Sequence, residues 1–207
     1  MRKGTPEATI RRLTHYLRCI EFIKETGVKI LQSRDLATFC SISDSLVRRD
    51  LSYFGEFGTK GVGYPVNQLE NNIKKILGID EIKKVGLAGV GNIGMALLNF
   101  PLLKSGFRIE AAFDIKKDLI GKRINGIPVF HEDEMVEVFK DKKLEIGIIA
   151  VPQQAAADVA NTMIEGGVKG ILSFATIQCP LKKEIPIRYI EITAELEILS
   201  YEIKKEE

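Results

Sequence analysis

The sequence predicts an α/β protein made of two dissimilar domains and a terminal helix, and three observations predict it. Residues 1–78 read as successive amphipathic helices around a glycine-rich basic turn, the pattern of a winged helix-turn-helix. The run Gly89-Val90-Gly91-Asn92-Ile93-Gly94 follows a short apolar strand and opens a helix, as a dinucleotide-binding turn must. From there strands and helices alternate to residue 192, the rhythm of a Rossmann-type parallel sheet with right-handed crossovers.

The bulk properties allow this. A chain of 207 residues with 45% apolar content can bury a core in one large domain or two small ones. The longest apolar run, Ile146 to Val151, is interrupted by Gly147 and is far too short to span a bilayer. Pro6 and Glu7 break the N-terminus before any apolar stretch, so neither a signal peptide nor a membrane partner is expected, and a cytoplasmic location is. Cys19, Cys40 and Cys179 are odd in number and show no CxxC spacing, so they are expected to be isolated core residues. With only His15 and His131 as histidines, no metal site is expected. Net charge is +2, but residues 1–64 hold eleven Lys/Arg against seven Asp/Glu, so the front of the chain is basic and points toward a polyanion.

Taken in order, Thr5-Pro6-Glu7 predicts a helix start with Thr5 as the capping hydroxyl and Pro6 in the first helical position. Ile10, Leu13, Leu17 and Ile20 form its apolar stripe, and Gly27 ends it. A second short helix follows Ser33, with Leu36, Ala37 and Cys40 inward; a third starts near Ser43. At about 100° per residue, Val47, Leu51 and Phe54 of the third helix share one arc. Ser45, Arg49 and Ser52 lie opposite and Arg48 flanks them. Hydroxyl and guanidinium groups near a helix N-terminus suit contact with base edges and phosphates. Asp44 and Asp50 also allow a merely solvated charged face. Residues 55–64 then place four glycines among aromatics, which predicts a hairpin wing with Lys60 near its tip, suited to a narrow minor groove. Leu69, Ile73, Ile76 and Leu77 mark a linker helix closed by Gly78.

In the second half, Val85 to Ala88 is a strand, Ile93 to Leu103 a helix, and Phe107 to Phe113 a strand ending at Asp114. An acid there, twenty residues after Gly94, accepts ribose hydroxyls and repels a 2′-phosphate, which favours NAD(H); Lys116 and Lys117 are the nearest groups that could meet a phosphate. Strands at Ile127–Phe130, Leu144–Val151, Val168–Phe174 and Arg188–Ile192 alternate with helices at Glu132–Lys140 and up to Glu165. Val151-Pro152 and Phe174 to Thr176 end strands, so they are expected to wall the nicotinamide site. The chain closes with a helix at about Ala194–Lys204, whose stripe of Leu196, Leu199 and Ile203 could cover its own domain, the commoner case, or a partner.

No His, Lys or Tyr proton relay stands at those strand ends, so hydride-transfer catalysis is not expected and the protein is read as no enzyme. Two rivals remain. One is a small NAD-dependent oxidoreductase. The other is a coenzyme A-binding Rossmann domain, since Val151-Pro152 and Gly166-Gly167-Val168-Lys169 look similar to the nucleotide domain of acyl-CoA ligases, although no phosphorylatable His follows the fifth strand.

The run Leu46-Val47-Arg48-Arg49-Asp50-Leu51-Ser52-Tyr53-Phe54-Gly55, continued by Gly58 to Tyr64, resembles the redox-sensing transcriptional repressors called Rex. So do Pro6-Glu7-Ala8-Thr9 with Arg12-Leu13, the glycine turn, Ala112-Phe113-Asp114 and Gly167 to Phe174, so the resemblance covers nearly the whole chain. It implies a homodimer with a winged-helix domain and linker helix at 1–78, an NAD(H)-binding Rossmann domain at 79–192, and a dimerisation helix at 193–207 swapped between subunits. It implies repression through palindromic double-stranded operators when NADH is low, relieved when NADH binds. Ser45, Arg48 and Arg49 would then contact the major groove and Lys60 the minor groove; Gly89 to Gly94 (with Val90, Asn92 and Ile93), Asp114, Val151 and Pro152 would hold NADH or NAD⁺. Arg18 and Glu191 would form an interdomain or dimer switch, with Glu where the family usually has Asp. Four further positions leave the family pattern: Thr176 for Pro, Ser173 for Asn, Phe100 for Tyr and Ala157 for Gln.

Overall fold

The computed structural model describes residues 5–59, 61–100 and 105–205, and the chain divides after Glu81 into two compact units. In the first, helix α1 spans Glu7–Glu25. Its N-cap is Pro6, one residue later than expected, and no side chain caps it. The fixed φ of proline also suits the extended backbone of a cap, and the Pro6 carbonyl accepts from Thr9 N at 3.0 Å. Thr26 closes α1, and Gly27 follows with φ +82°, the left-handed conformation that turns the chain away.

Strand β1 (Ile30–Leu31) precedes α2 (Ser33–Phe39) and α3 (Asp44–Ser52), which is capped by Ser43 accepting from Leu46 N. After a turn, β2 (Tyr64–Pro65) pairs antiparallel with β1, and α4 (Val66–Leu77) ends at Gly78 in the left-handed region. A two-residue strand carries no periodicity, so β1 and β2 were invisible in the sequence. Leu13, Leu17 and Ile20 of α1, Leu36 and Ala37 of α2, Val47 and Leu51 of α3, and Leu69 and Ile73 of α4 share one core. The predicted stripes face that core.

The second unit is a seven-stranded sheet ordered β5-β6-β4-β3-β7-β8-β9. These strands are β3 (Lys83–Ala88), β4 (Phe107–Asp114), β5 (Arg123–Ile124), β6 (Ile127–His131), β7 (Ile146–Ile149), β8 (Gly170–Ser173) and β9 (Ile187–Tyr189). All neighbours pair in parallel except the short β5, whose hairpin onto β6 was not expected. Strand order reverses beside β3, between β4 and β7, and that is where an open parallel sheet leaves a crevice at its carboxyl ends.

Helices α5 (Asn92–Leu98), α6 (Met135–Lys142) and α7 (Gln153–Glu165) cover the sheet. Alternate strand residues enter two separate cores. Val85, Leu87, Ala112 and Ile148 pack with Leu98, whereas Ala88, Phe113 and Ile149 pack with Phe139, Ala156 and Met163. Burial on both faces explains why these strands read as continuous apolar runs.

Helix α5 stops at Leu98, short of the expected Leu103. Asn99 Nδ2 donates back to the Met95 carbonyl at 2.7 Å, and the residue before Pro101 is biased away from helical backbone. Residues 101–104, which include the last three of that expected helix, lie outside the described residues. The expected strands at Leu144–Val151, Val168–Phe174 and Arg188–Ile192 are each trimmed at both ends or at one, because their flanks turn into helices or loops.

The last helix, α8 (Ile192–Lys205), buries none of its residues. Leu196 is 60% exposed, Leu199 50% and Ile203 57%, so of the two alternatives the stripe does not cover its own domain. Among the described residues no helix is long and apolar enough to cross a membrane.

Candidate functional site

On α3 the predicted division of faces holds. Val47 and Leu51 are buried, while Ser45, Arg48, Arg49 and Ser52 are exposed. Arg48 is engaged by Asp44 one turn earlier, a surface ion pair; among the described residues Arg49 has no acidic partner within its own helix. A groove of about 430 Å³ runs along this helix, lined by Arg48, Ser52, Gly55, Thr59, Gly63 and Tyr64 among others. Thr59 and Gly63 exchange backbone hydrogen bonds in both directions, closing a small wing. A Cβ at Gly63 would meet the Leu31 carbonyl at 2.7 Å, so the wing lies too close to β1 for any side chain there. Lys60, the expected minor-groove residue, lies outside the described residues.

Asp50 departs from the sequence reading. It does not belong to a solvated face but is fully buried, accepting from Thr9 Oγ1 at 3.1 Å, Tyr16 Oη at 2.7 Å and Arg12. Burial alone would raise its pKa, but hydrogen bonds from Arg12 and Tyr16 outweigh it and hold the carboxyl below the usual range. Burial, helped by the same carboxylate, pushes the Tyr16 hydroxyl upward. Helical periodicity could have flagged this residue, since Asp50 follows Val47 at three residues on the apolar arc.

The second unit builds a cleft at the crevice beside β3. It holds about 300 Å³ and is lined by Gly89, Gly91, Asp114, Ile115, Lys116, Glu132, Val151 and Pro152 among others. Three glycines play three roles there. Gly89 has φ +91°, and a Cβ on it would strike the Ala150 carbonyl. A Cβ on Gly94 would overlap the Gly89 carbonyl oxygen, so Gly94 lets α5 close onto the turn. A Cβ on Gly91 would meet nothing within 4 Å, so its smallness serves no contact inside the chain. It keeps open the space in front of the turn, which fits a pyrophosphate.

Asp114 Oδ2 accepts from Val90 N at 2.7 Å and Oδ1 from Lys116 N at 2.9 Å. The acid therefore pins the glycine turn, and each carboxylate oxygen keeps a second lone pair for a ribose hydroxyl. Glu132, just past the end of β6, is a second acid on the cleft that the sequence reading missed; only the sheet order brings it beside Asp114. Two carboxylates strengthen the case against a 2′-phosphate. Val90, Asn92 and Ile93 sit in or directly after the turn, with Met95 N donating to Gly91 O at 2.8 Å.

Thr176 does not line the cleft, and neither do Phe174 and Ala175, contrary to expectation. The latter two pack partly into the two cores instead. The buried Ser173 hydroxyl donates to the Ala175 carbonyl at 2.6 Å and accepts from Ala175 N at 3.2 Å, so this residue ties the turn after β8. Phe100 is exposed. Arg18 bonds Glu21 on its own helix at 2.9 Å, and Glu191 is exposed just before α8.

The cysteines also depart from expectation. Cys19 and Cys40, read as isolated, are brought into contact in the first unit, while Cys179 is exposed.

Residues 80–177 match the family model described as "CoA binding domain", and residues 4–52 match the one described as "Putative DNA-binding protein N-terminus". The chain is 39% identical over 202 residues to the redox-sensing transcriptional repressor Rex of Syntrophobacter fumaroxidans, covering 96% of this chain and 95% of the relative. It is also similar to the crystal structure of RSP in complex with β-NAD⁺ and operator DNA, at TM-score 0.91 and 32% identity, covering 99% of this chain and 95% of that one. The crystal structure of RSP in complex with β-NADH matches at TM-score 0.85 and 30% identity, covering 99% and 97%.

Proposed function

The chain belongs to the Rex family of redox-sensing transcriptional repressors, and from that premise we propose how its own residues bind DNA and dinucleotide and link the two. It is a DNA-binding repressor that senses NAD(H), and it is not an enzyme. The observation that carries the site assignment is the pair of faces described above: a hydroxyl-and-guanidinium face on α3 and an acid-lined cleft around Gly91 in one chain.

Ser45, Arg48 and Arg49 face the major groove of a double-stranded operator, where arginine forks read guanine edges. Lys60 is assigned to the minor groove from the sequence. The turn Gly89–Gly94 takes the pyrophosphate, Asp114 the adenosine ribose, and Val151 with Pro152 the approach to the nicotinamide. The dinucleotide supplies a ring that is cationic when oxidised and neutral when reduced; an apolar wall such as Val151 and Pro152 disfavours the cation. The exposed stripe of α8 makes the homodimer, exchanged between copies, and a two-fold protein calls for a palindromic operator. Arg18 and Glu191 act as the switch between states, which requires Arg18 to exchange Glu21 for Glu191. The cytoplasm is where such a repressor meets its operator.

If NADH fits one dimer arrangement and DNA the other, each antagonises the other by linkage. Moving a DNA-ready population from 99:1 to 1:99 needs about 5.5 kcal/mol of differential binding. Titrating operator-bound protein with NADH and with NAD⁺ tests this. NADH should release the operator at far lower concentration; equal release by both would end the redox-sensing assignment. Coenzyme A, suggested by the description of the matching family model, belongs in the same titration and is expected to release nothing.

A further inference from the structure

The first unit holds a thiol pair that neither NADH sensing nor DNA contact uses. Cys19 lies half-buried on α1, and Cys40 is buried where α2 ends. Their Sγ atoms stand 2.6 Å apart, about 0.5 Å beyond a disulfide bond. That is well inside the van der Waals separation of about 3.5–4 Å that atoms in contact keep when neither bonded nor hydrogen-bonded. His15 sits one helical turn before Cys19, with ring Nε2 3.3 Å from the Cys40 carbonyl oxygen, and one nitrogen of that ring lies within 4.8 Å of both sulfurs.

We propose that Cys19 and Cys40 are a reversible dithiol–disulfide site oxidised by hydroperoxides, a second redox input that sits in the DNA-binding domain. Half-buried Cys19 is the sulfur an oxidant reaches first, and burial pushes the Cys40 thiol upward and keeps it protonated until then. The Cys19 sulfur attacks the peroxide, forming S–O as O–O breaks. The thiol proton leaves with the departing oxygen, so a sulfenic acid and one alcohol or water result. The Cys40 sulfur then attacks the Cys19 sulfur; S–S forms, S–O breaks, and the Cys40 proton leaves in water, with the His15 ring at hand to relay it. In sum two thiols lose two electrons and the peroxide gains them. A disulfide in a cytosolic chain is transient and regulatory more often than structural.

The same three side chains could hold a metal ion, but the geometry favours the disulfide. Two thiolates on one tetrahedral zinc, each about 2.3 Å from it, stand roughly 3.8 Å apart. The pair would have to open by more than an ångström to admit zinc and close by about half of one to bond. Once formed, the bridge staples α1 to the Cys40-Ser41-Ile42-Ser43 turn that leads into α3. It closes a loop of about twenty residues in the unfolded chain, which stabilises the fold.

The test uses full-length protein reduced with dithiothreitol, freed of it, and exposed to hydrogen peroxide. Peptide mapping without reductant should show an intrachain link between the Cys19 and Cys40 peptides, two mass units lighter than the dithiol and reversed by dithiothreitol. The thermal midpoint should rise on oxidation. Cys179→Ser should keep both effects; Cys19→Ser and Cys40→Ser should each lose them, and the half-buried Cys19 position serves if the Cys40 variant does not fold. The proposal is overturned by oxidation confined to Cys179, by a link between chains, by sulfinic acid at Cys19 with Cys40 untouched, or by a link without a rise in midpoint. Stoichiometric zinc in the purified protein, lost in Cys19→Ser, would overturn it in favour of a metal site.

Discussion

Arg12 on α1 grips Asp50 on α3 with both ends of its fork, Nε on Oδ2 at 2.5 Å and Nη2 on Oδ1 at 2.7 Å, and the aspartate is fully buried. The helix that carries Arg49 is thus fixed to α1 through a charge pair, with Tyr16 and Thr9 filling the remaining acceptor positions. A buried pair of this kind contributes modest net stability when intact and is costly when halved.

Arg12→Met should therefore destabilise the first unit by about 3–5 kcal/mol, since it leaves Asp50 buried without its cation. Denaturant unfolding measures the loss, and operator affinity should fall with it. NADH binding by calorimetry should be unchanged, because the cleft around Asp114 belongs to the other unit. A parallel loss of NADH affinity would contradict this division.

Acid should act on the same domain. Asp50 is held low by Arg12 and Tyr16 against its burial, and Glu70 by Lys24 and Lys74 against its own. A carboxyl whose folded pKa lies below its unfolded value, about 3.9 for Asp and 4.3 for Glu, adds stability above that value. The contribution is lost as pH falls through the folded pKa. Unfolding free energy should hold from neutral pH to about 5 and then drop steeply. In Asp50→Asn the protein starts less stable, and the slope below pH 4 should be shallower; an unchanged slope would remove Asp50 from the account.

The two arginines of α3 should not be equivalent. Arg49 is exposed without an acidic partner on its helix, whereas Arg48 is already paired with Asp44. Arg49→Ala should weaken specific operator binding by about 1–3 kcal/mol and relax preference at one base position. Arg48→Ala should cost less, because part of its DNA contact replaces an existing ion pair. Binding measured at one salt concentration on the operator and on a scrambled duplex separates the two; normal operator affinity in Arg49→Ala would move the reading face elsewhere.

Two glycine variants distinguish a structural from a ligand-facing role. Gly94→Ala forces a Cβ onto the Gly89 carbonyl and should lower the stability of the second unit. Gly91→Ala meets nothing within the chain, so it should melt like the parent yet lose NADH affinity at least tenfold, about 1.4 kcal/mol, if the pyrophosphate occupies that space. Retained affinity in Gly91→Ala would place the phosphates elsewhere.

How much of this was legible in the sequence depended on the range of the interaction involved. The stripes Leu13-Leu17-Ile20 and Val47-Leu51 are local patterns that survive in the fold because a helix must bury its apolar side. The strand–glycine–helix order, with Asp114 at the next strand end, is equally local, so the cleft could be placed in advance. The alternative of a solvated face counted Asp50 as exposed; its place on the apolar arc was local, but its partner Arg12 lies thirty-eight residues earlier. Phe174 and Ala175 were placed on the cleft from strand ends alone, whereas each packs partly against a core of the sheet.

By itself, then, the sequence determined the helices and the longer strands, their order, the sheet class and the chemistry offered by α3 and the glycine turn, because periodicity and backbone freedom act over a few residues. Only tertiary structure decided the rest. It set Arg12 against Asp50, brought Glu132 to the cleft beside Asp114, joined Cys19 to Cys40, and left the α8 stripe exposed. Each of those depends on packing between segments distant in the chain, where the choice of partner is settled by the whole domain.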